Sequence, residues 1–174
     1  MIEKEFNNED LSEIYRLRIS AWETRMDLKA VFPNGQWSDD FDADALHFGI
    51  KREGAIVASA RLNMASDIQA LPYGKEIAKY AKEYEYAQPF FMLSRLVVIP
   101  SARNNGYARL LDKARLQAVA EHGAGTAFLV TSSRLRIEKL LRLGFRQASD
   151  LEAFDTFPGG KSTLFVMKHD EICV

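Results

Sequence analysis

Val98-Ile99-Pro100-Ser101-Ala102-Arg103-Asn104-Asn105-Gly106-Tyr107-Ala108 joins two stretches of opposite character. Before it lies Phe90-Phe91-Met92-Leu93-Ser94-Arg95-Leu96-Val97-Val98-Ile99, a nearly continuous apolar run closed by Pro100. Such a run predicts a central strand covered on both faces. After it, Leu111, Ala114 and Ala118 share one face of a predicted helix over about Gly106–Glu121. Strand, turn and helix in that order aim unpaired N–H groups at the helix N-terminus, where the dipole favours an anion. Gly106 lets the backbone approach a phosphate, Ala108 is small for the same reason, and Arg103 supplies a permanent positive charge. The same spacing also suits a plain strand-to-helix turn with a solvent-exposed Arg, because a short Gly motif carries little information by itself.

Working outward, a short strand at about Glu3–Phe6 precedes Asn7-Asn8-Glu9-Asp10, a helix start. Leu11, Ile14, Tyr15, Leu17 and Ala21 then recur at helical spacing and predict a helix to about Thr24. Residues 26–45 lack periodicity and read as loop with one further helical turn at most. Arg52-Glu53-Gly54 joins strands at about Leu46–Lys51 and Ile56–Asn63 in a hairpin. An irregular helix is expected over 67–86, a strand at Ala127–Thr131, a helix over Leu135–Leu143 stopped by Gly144, a short strand at Phe145–Arg146 and a last strand at Ser162–Lys168. This order indicates a mixed α/β sheet.

The chain has 174 residues, which suits a single domain over 1–174 with a sizeable core. Its 23 Lys+Arg against 24 Asp+Glu leave a net charge of -1, without the basic excess of a dedicated nucleic-acid or polybasic membrane binder. Hydrophobic residues at 47% argue against disorder. The single Cys173 forbids an internal disulfide and argues against a Cys-based metal site. No apolar run approaches about 18 residues and Met1-Ile2-Glu3-Lys4-Glu5 does not look like a signal peptide, so a cytoplasmic location is expected.

Arg103-x-x-Gly106-x-Ala108 after an apolar strand resembles the acyl-CoA pyrophosphate loop of the GNAT family of N-acyltransferases. Leu140-Leu141-Arg142-Leu143-Gly144-Phe145-Arg146 resembles the end of that family's last helix, and Phe128-Leu129-Val130 falls where its fifth strand belongs. The likeness covers about residues 90–147. It implies a mixed, mostly antiparallel sheet with a splayed parallel strand pair, flanked by helices. It further implies acetyl-CoA or another acyl-CoA as co-substrate, no metal, and a small amine as acceptor; a homodimer stays open. The donor would lie along Leu96, Val97 and Val98, with its pyrophosphate on Arg103, Asn104, Asn105, Gly106, Tyr107 and Ala108. Many members place an Asn before the last helix and a proton-donating Tyr within it. Ser133 and Leu140 stand at those positions here, so the general acid is unassigned. Tyr107 is a substitute donor or a packing residue.

The first half is similar to the acyl-homoserine lactone synthases, which share this fold and acylate the amino group of S-adenosylmethionine. The residues concerned are Arg18, Trp22, Asp39, Asp42, Arg61, Ser94 and Arg95, in the same order and at close to the same spacings. Arg18, Arg61 and Arg95 are expected to pair with Asp39 and Asp42 over the acceptor side, or to form ordinary ion pairs. Met92 stands where those synthases carry an acid and Leu28 where they carry a second aromatic. Three readings result: a small-acyl N-acyltransferase, a lactone-synthase-like enzyme with a longer acyl donor, and a catalytically weak acyl-CoA-binding module.

Other signals are weaker. Gly159-Gly160-Lys161-Ser162 mimics the end of a P-loop but precedes a strand, and Asp155 stands where its first Gly belongs. His47, His122 and His169 lack metal-ligand spacing. Arg134, Glu138 and Arg142 form an i, i+4 charge ladder, with Ile137, Leu140 and Leu141 expected on the apolar side of the helix. The first cations of that helix are placed by the resemblance near the donor's 3′-phosphate.

Overall fold

The computed structural model describes residues 2–3, 6–22, 28, 31–80, 86–123, 125–151 and 162–168. The strands are β1 (Ile2–Glu3), β2 (Leu46–Arg52), β3 (Ala55–Ala65), β4 (Phe90–Val98), β5 (Thr126–Thr131), β6 (Arg146–Leu151) and β7 (Ser162–Lys168). The helices are α1 (Asn8–Ser20), α2 (Gly74–Tyr80), α3 (Tyr107–Glu121) and α4 (Arg134–Arg142). The sheet runs β1-β2-β3-β4-β5-β7-β6. Its β4–β5 pair is parallel, from Phe90 opposite Thr126 to Leu93 opposite Leu129. The β1–β2, β2–β3, β5–β7 and β6–β7 pairs are antiparallel. No helix among the described residues is long and apolar enough to cross a membrane.

The chain divides into two compact units, Met1–Leu62 with Arg95–Arg115, and Asn63–Ser94 with Leu116–Val174. In the first, Asn7 caps α1: its side chain accepts from the backbone N–H groups of Glu9 and Asp10, and Asp10 accepts in return from Asn7. The helical spacing of Ile14, Leu17 and Ala21 then packs that face of α1 on Ile56 and Val97. The Ile99 N–H donates to the Val57 carbonyl at 3.0 Å, which fixes the end of β4 beside β3. In the second unit, Met92, Phe90 and Phe128 of the parallel pair pack with Leu164, Val166, Leu71 and Ile77. Apolar residues on both faces of β4 and β5 explain why these strands read as continuous hydrophobic runs.

Several boundaries differ from the sequence expectation. α1 ends at Ser20 with Ala21 as its cap, and Thr24 lies outside the described residues. The irregular helix expected over 67–86 is a 3-10 turn at Ile68–Ala70 followed by α2, with 81–85 outside the described residues. β6 runs through Leu151, well past the Phe145–Arg146 expected, because Gln147-Ala148-Ser149-Asp150 shows no apolar alternation; it pairs with β7 at the sheet edge. Leu141 is exposed rather than part of the buried side of α4, since only Leu140 of the two turns inward. Adjacent helical residues point about 100° apart, so a narrow core contact takes one of them.

Candidate acyl-donor and acceptor site

The turn after β4 is built by backbone conformation. A 3-10 turn at Pro100–Ala102 leads into Arg103, and Asn104 and Gly106 follow with φ of +66° and +76°. Asn is among the few residues that adopt this left-handed region readily, and Gly does so without penalty. The Asn105 amide donates to the carbonyls of Ala102 and Arg103, both at 3.1 Å, so its side chain braces the loop from inside. α3 begins at Tyr107 with no acidic residue in its first turn. The opening N–H groups of a helix have no acceptor within it, so this end offers donors and positive potential. A Cβ added to Gly106 would meet nothing within 4 Å. The glycine is therefore required by its φ, and the space above it is open.

Arg103 does not extend from this loop. Its Nη2 donates to the Ala21 carbonyl at 2.9 Å and its Nε to the Val98 carbonyl at 3.4 Å, while its backbone N–H donates to Pro100. Beside it a cavity of about 220 Å³ is lined by Ala21, Trp22, Leu96, Val97, Val98 and Arg103. The three strand positions expected to run along the donor thus line one cavity with the first loop residue, and Trp22, the residue after the α1 cap, lines it too.

The second cluster is made of side chains. Asp39 and Asp42 bracket a 3-10 turn as a reciprocal cap: Asp39 accepts from the Phe41 N–H and Asp42 from the Asp39 N–H at 2.9 Å. This fixes the spacing of the two carboxylates before any ion pair forms. Arg18 then binds Asp42 bidentately, at 2.8 and 2.9 Å, and donates to the Trp37 carbonyl at 2.9 Å. Arg61 reaches both Asp39 and Asp42, and Arg95 reaches the other oxygen of Asp39. Arg18 and Arg61 are each 1% exposed, so they cannot trade these partners for water. Arg95 has φ of +53° inside β4, which breaks the strand's side-chain alternation. Its guanidinium lies 4.7 Å from the centroid of the Trp37 ring while it pairs with Asp39.

Burial alone would raise the Asp42 pKa, but Arg18, helped by Arg61, outweighs it and holds the carboxyl at about 2. Asp39 is held low in the same way, with Arg61 and Arg95 overcoming burial. Both acids stay ionised and paired at neutral pH, so neither is a base poised to take a proton.

Sequence reasoning set His47 aside, and this unit gives it a place. It is buried in β2, with Nε2 donating to the Asp42 carbonyl at 3.1 Å and its ring edge-on to Tyr15. Arg115 of α3 was also missed: fully buried, it pairs with Asp112 and donates to the Arg61 carbonyl. Asp112 stands one helical turn before Arg115 and Asp42 five residues before His47, but the contacts to Arg61 and Tyr15 come from distant positions in the chain and have no signal in spacing.

The remaining positions belong to the second unit. Ser94 is half-buried in β4, and Met92 and Leu140 are fully buried with no group that moves a proton. Ser133 precedes α4 with its hydroxyl uncommitted to the helix cap, and its N–H donates to Thr131 Oγ1 at 3.2 Å. His122 bonds the Ala118 carbonyl and Arg142 lies 4.0 Å from Glu138 on an exposed face, while Leu28, in the first unit, is buried. No metal-binding cluster occurs among the described residues. His169, Asp170, Glu171, Cys173 and residues 155–161 lie outside them.

Comparison with known proteins places this geometry in context. The model of the acetyltransferase (GNAT) family matches residues 8–145. No curated protein matches the sequence significantly. Among solved structures, the chain is similar to FeeM, an N-acyl amino acid synthase from uncultured soil microbes. The TM-score is 0.72 at 16% identity, over 98% of this chain and 91% of that one. It is also similar to the ribosomal-protein-S18-alanine N-acetyltransferase of Escherichia coli, with TM-score 0.65, 17% identity, and 97% and 92% of the two chains covered. A third is BjaI, a CoA-dependent acyl-homoserine lactone synthase solved with SAM and isopentyl-CoA. There the TM-score is 0.66 at 14% identity, over 92% of this chain and 76% of that one. At these identities the likeness is one of fold.

Proposed function

This chain belongs to the acetyltransferase (GNAT) family of N-acyltransferases, and from that premise we propose that it moves an acyl group from acyl-CoA to the amine of a small molecule. The donor's pyrophosphate would rest on the backbone of Asn104–Ala108 and its arm along Leu96, Val97 and Val98. The observation that carries this is the loop itself: two left-handed residues turn its backbone at the start of α3, beside a cavity lined by those strand residues. A backbone cradle needs no particular side chain, so it recognises the part of the donor common to every acyl-CoA.

The chemistry asks little more of the chain. An amine lone pair attacks the thioester carbonyl, and a backbone N–H steadies the oxyanion that forms. The tetrahedral centre then collapses, the carbon–sulfur bond breaks, and the amine's proton is lost while the thiolate gains one. Leu140 and Met92 cannot carry either proton, so the leaving thiolate takes its proton from solvent or from Tyr107 at the first position of α3.

A second reading is a lactone-synthase-like enzyme with a longer acyl donor and an amino-acid-derived amine. The array of Arg18, Arg61 and Arg95 on Asp39 and Asp42 favours it over a plain acetyltransferase, as does the likeness to FeeM and BjaI. Calorimetric titration with acetyl-, hexanoyl- and longer-chain CoA separates the readings. Affinity independent of chain length supports a small-acyl transferase, and affinity that rises with length supports the synthase-like enzyme. Binding without turnover of any amine would leave only an acyl-CoA-binding module. No binding would overturn the proposal.

A further inference from the structure

We propose that Arg103 is a positioning residue, not a phosphate ligand: it ties the end of α1 to the donor loop and thereby fixes the Trp22 wall of the cavity. The inference rests on the donor-binding reading above and assigns this residue a different part in it.

A first-position Arg in such a loop has the charge to meet a phosphate, but the geometry commits it elsewhere. Nη2 bonds the carbonyl of Ala21, the cap residue of α1, and Nε faces the carbonyl of Val98, the last residue of β4. Carbonyls at a helix C-terminus lack donors inside the helix and carry the negative end of its dipole, so a cation there is favoured. One planar guanidinium therefore joins a helix end, a strand end and the loop between β4 and α3. Lysine, with a single ammonium point, cannot present two fixed N–H directions to two carbonyls.

The joined elements are the ones that form the cavity. Ala21 and Trp22 come from the end of α1, Leu96, Val97 and Val98 from β4, and Arg103 closes the set. Trp22 directly follows the carbonyl that Arg103 holds, so the width between the indole and β4 depends on that bond. Phosphate recognition then falls to backbone N–H groups, and Arg103 acts on the part of the donor that carries no phosphate.

That distinction gives the test. Binding of acetyl-CoA and of acetyl-pantetheine, which keeps the thioester arm but has no phosphate, is measured by NMR titration for the wild type, Arg103→Met and Arg103→Lys. The Trp22 indole N–H signal is identified with Trp37→Phe. A positioning role predicts that Arg103→Met weakens both donors by the same factor, about tenfold. It also predicts that the Trp22 signal shifts before any donor is added, and that Arg103→Lys resembles Arg103→Met on acetyl-pantetheine. If Arg103→Met fails to fold, the lysine variant decides alone. A loss confined to acetyl-CoA, largely restored by lysine, would make Arg103 a phosphate ligand and overturn the inference. Unchanged affinity for both donors would overturn it too. A wild-type protein that binds neither donor would instead refute the donor site itself, and this inference with it.

Discussion

The loop at Asn104–Ala108 and the charged array at Asp39–Asp42 belong to one compact unit yet are made by opposite means. The loop is exposed, owes its form to two positive φ angles, and offers backbone groups. The array is mostly buried, owes its form to guanidinium–carboxylate pairs, and spends its charges on one another. A ligand site can be cheap in stability when it uses backbone N–H groups that a helix end leaves open anyway. Buried charges are different, since removing one partner strands the other in a place where it cannot be hydrated. The loop should therefore tolerate mutation of its side chains and fail in binding, whereas the array should fail first in folding.

The sharpest break of this contrast is Asp42→Ala, which strands Arg18 and part of the pairing of Arg61. The expected loss is about 3–5 kcal/mol in denaturant unfolding. A loss under about 1 kcal/mol would place the array among weak surface pairs. Asp39→Asn is milder, because the amide keeps one acceptor and Asp39 is the more exposed acid. It should lower turnover at least tenfold through Arg95 while donor affinity changes less than twofold, about 0.4 kcal/mol. Equal loss of donor binding would merge the two regions functionally.

Gly106→Ala probes the loop from the other side. No neighbour resists the methyl group, so the cost is the left-handed backbone alone, about 1 kcal/mol. A much larger loss of stability would mean that the loop is a structural keystone after all.

The smallest effect is in pH. Burial lowers the His47 pKa from 6.5; its bond to the Asp42 carbonyl pulls the other way, and the nearby Arg18 and Arg61 disfavour a second charge. Because the folded value lies below the unfolded one, the unfolded chain takes up the proton first. The contribution is complete above 6.5 and is lost as pH falls below it. Asp42 adds a separate loss as pH falls from 3.8 toward about 2. Thermal melts should thus drop modestly from pH 7 to 5, and His47→Gln should flatten that interval alone. An unaltered slope in the variant would remove His47 as its source.

The contrast also explains what the sequence could reveal. Local rules wrote the loop: an apolar strand, a proline, an Asn and a Gly where positive φ is needed, then helical periodicity. The same rules reached α1 through its Asn7 cap, β4 through its apolar run, and the β2–β3 hairpin through Gly54. The array was legible only as an order of charged residues. Asp39-x-x-Asp42 does carry a local signature, a reciprocal cap, which predicts their mutual spacing. Nothing local predicts a left-handed Arg95, the reach of a buried Arg115 to the Arg61 carbonyl or the turn of Arg103 back to Ala21, because each answers to a partner tens of residues away. The full length of the polar β6 was illegible for a related reason, as an edge strand takes its pattern from the neighbour it pairs with.

The most direct test is one calorimetric series of acetyl-CoA with the wild type, Gly106→Glu and Asp39→Asn, each confirmed as folded by its thermal melt. A side chain and a negative charge at Gly106 would occupy the pyrophosphate position, so donor binding should vanish there and persist in Asp39→Asn. Wild-type affinity in Gly106→Glu would contradict the backbone cradle and reduce Arg103–Ala108 to a turn.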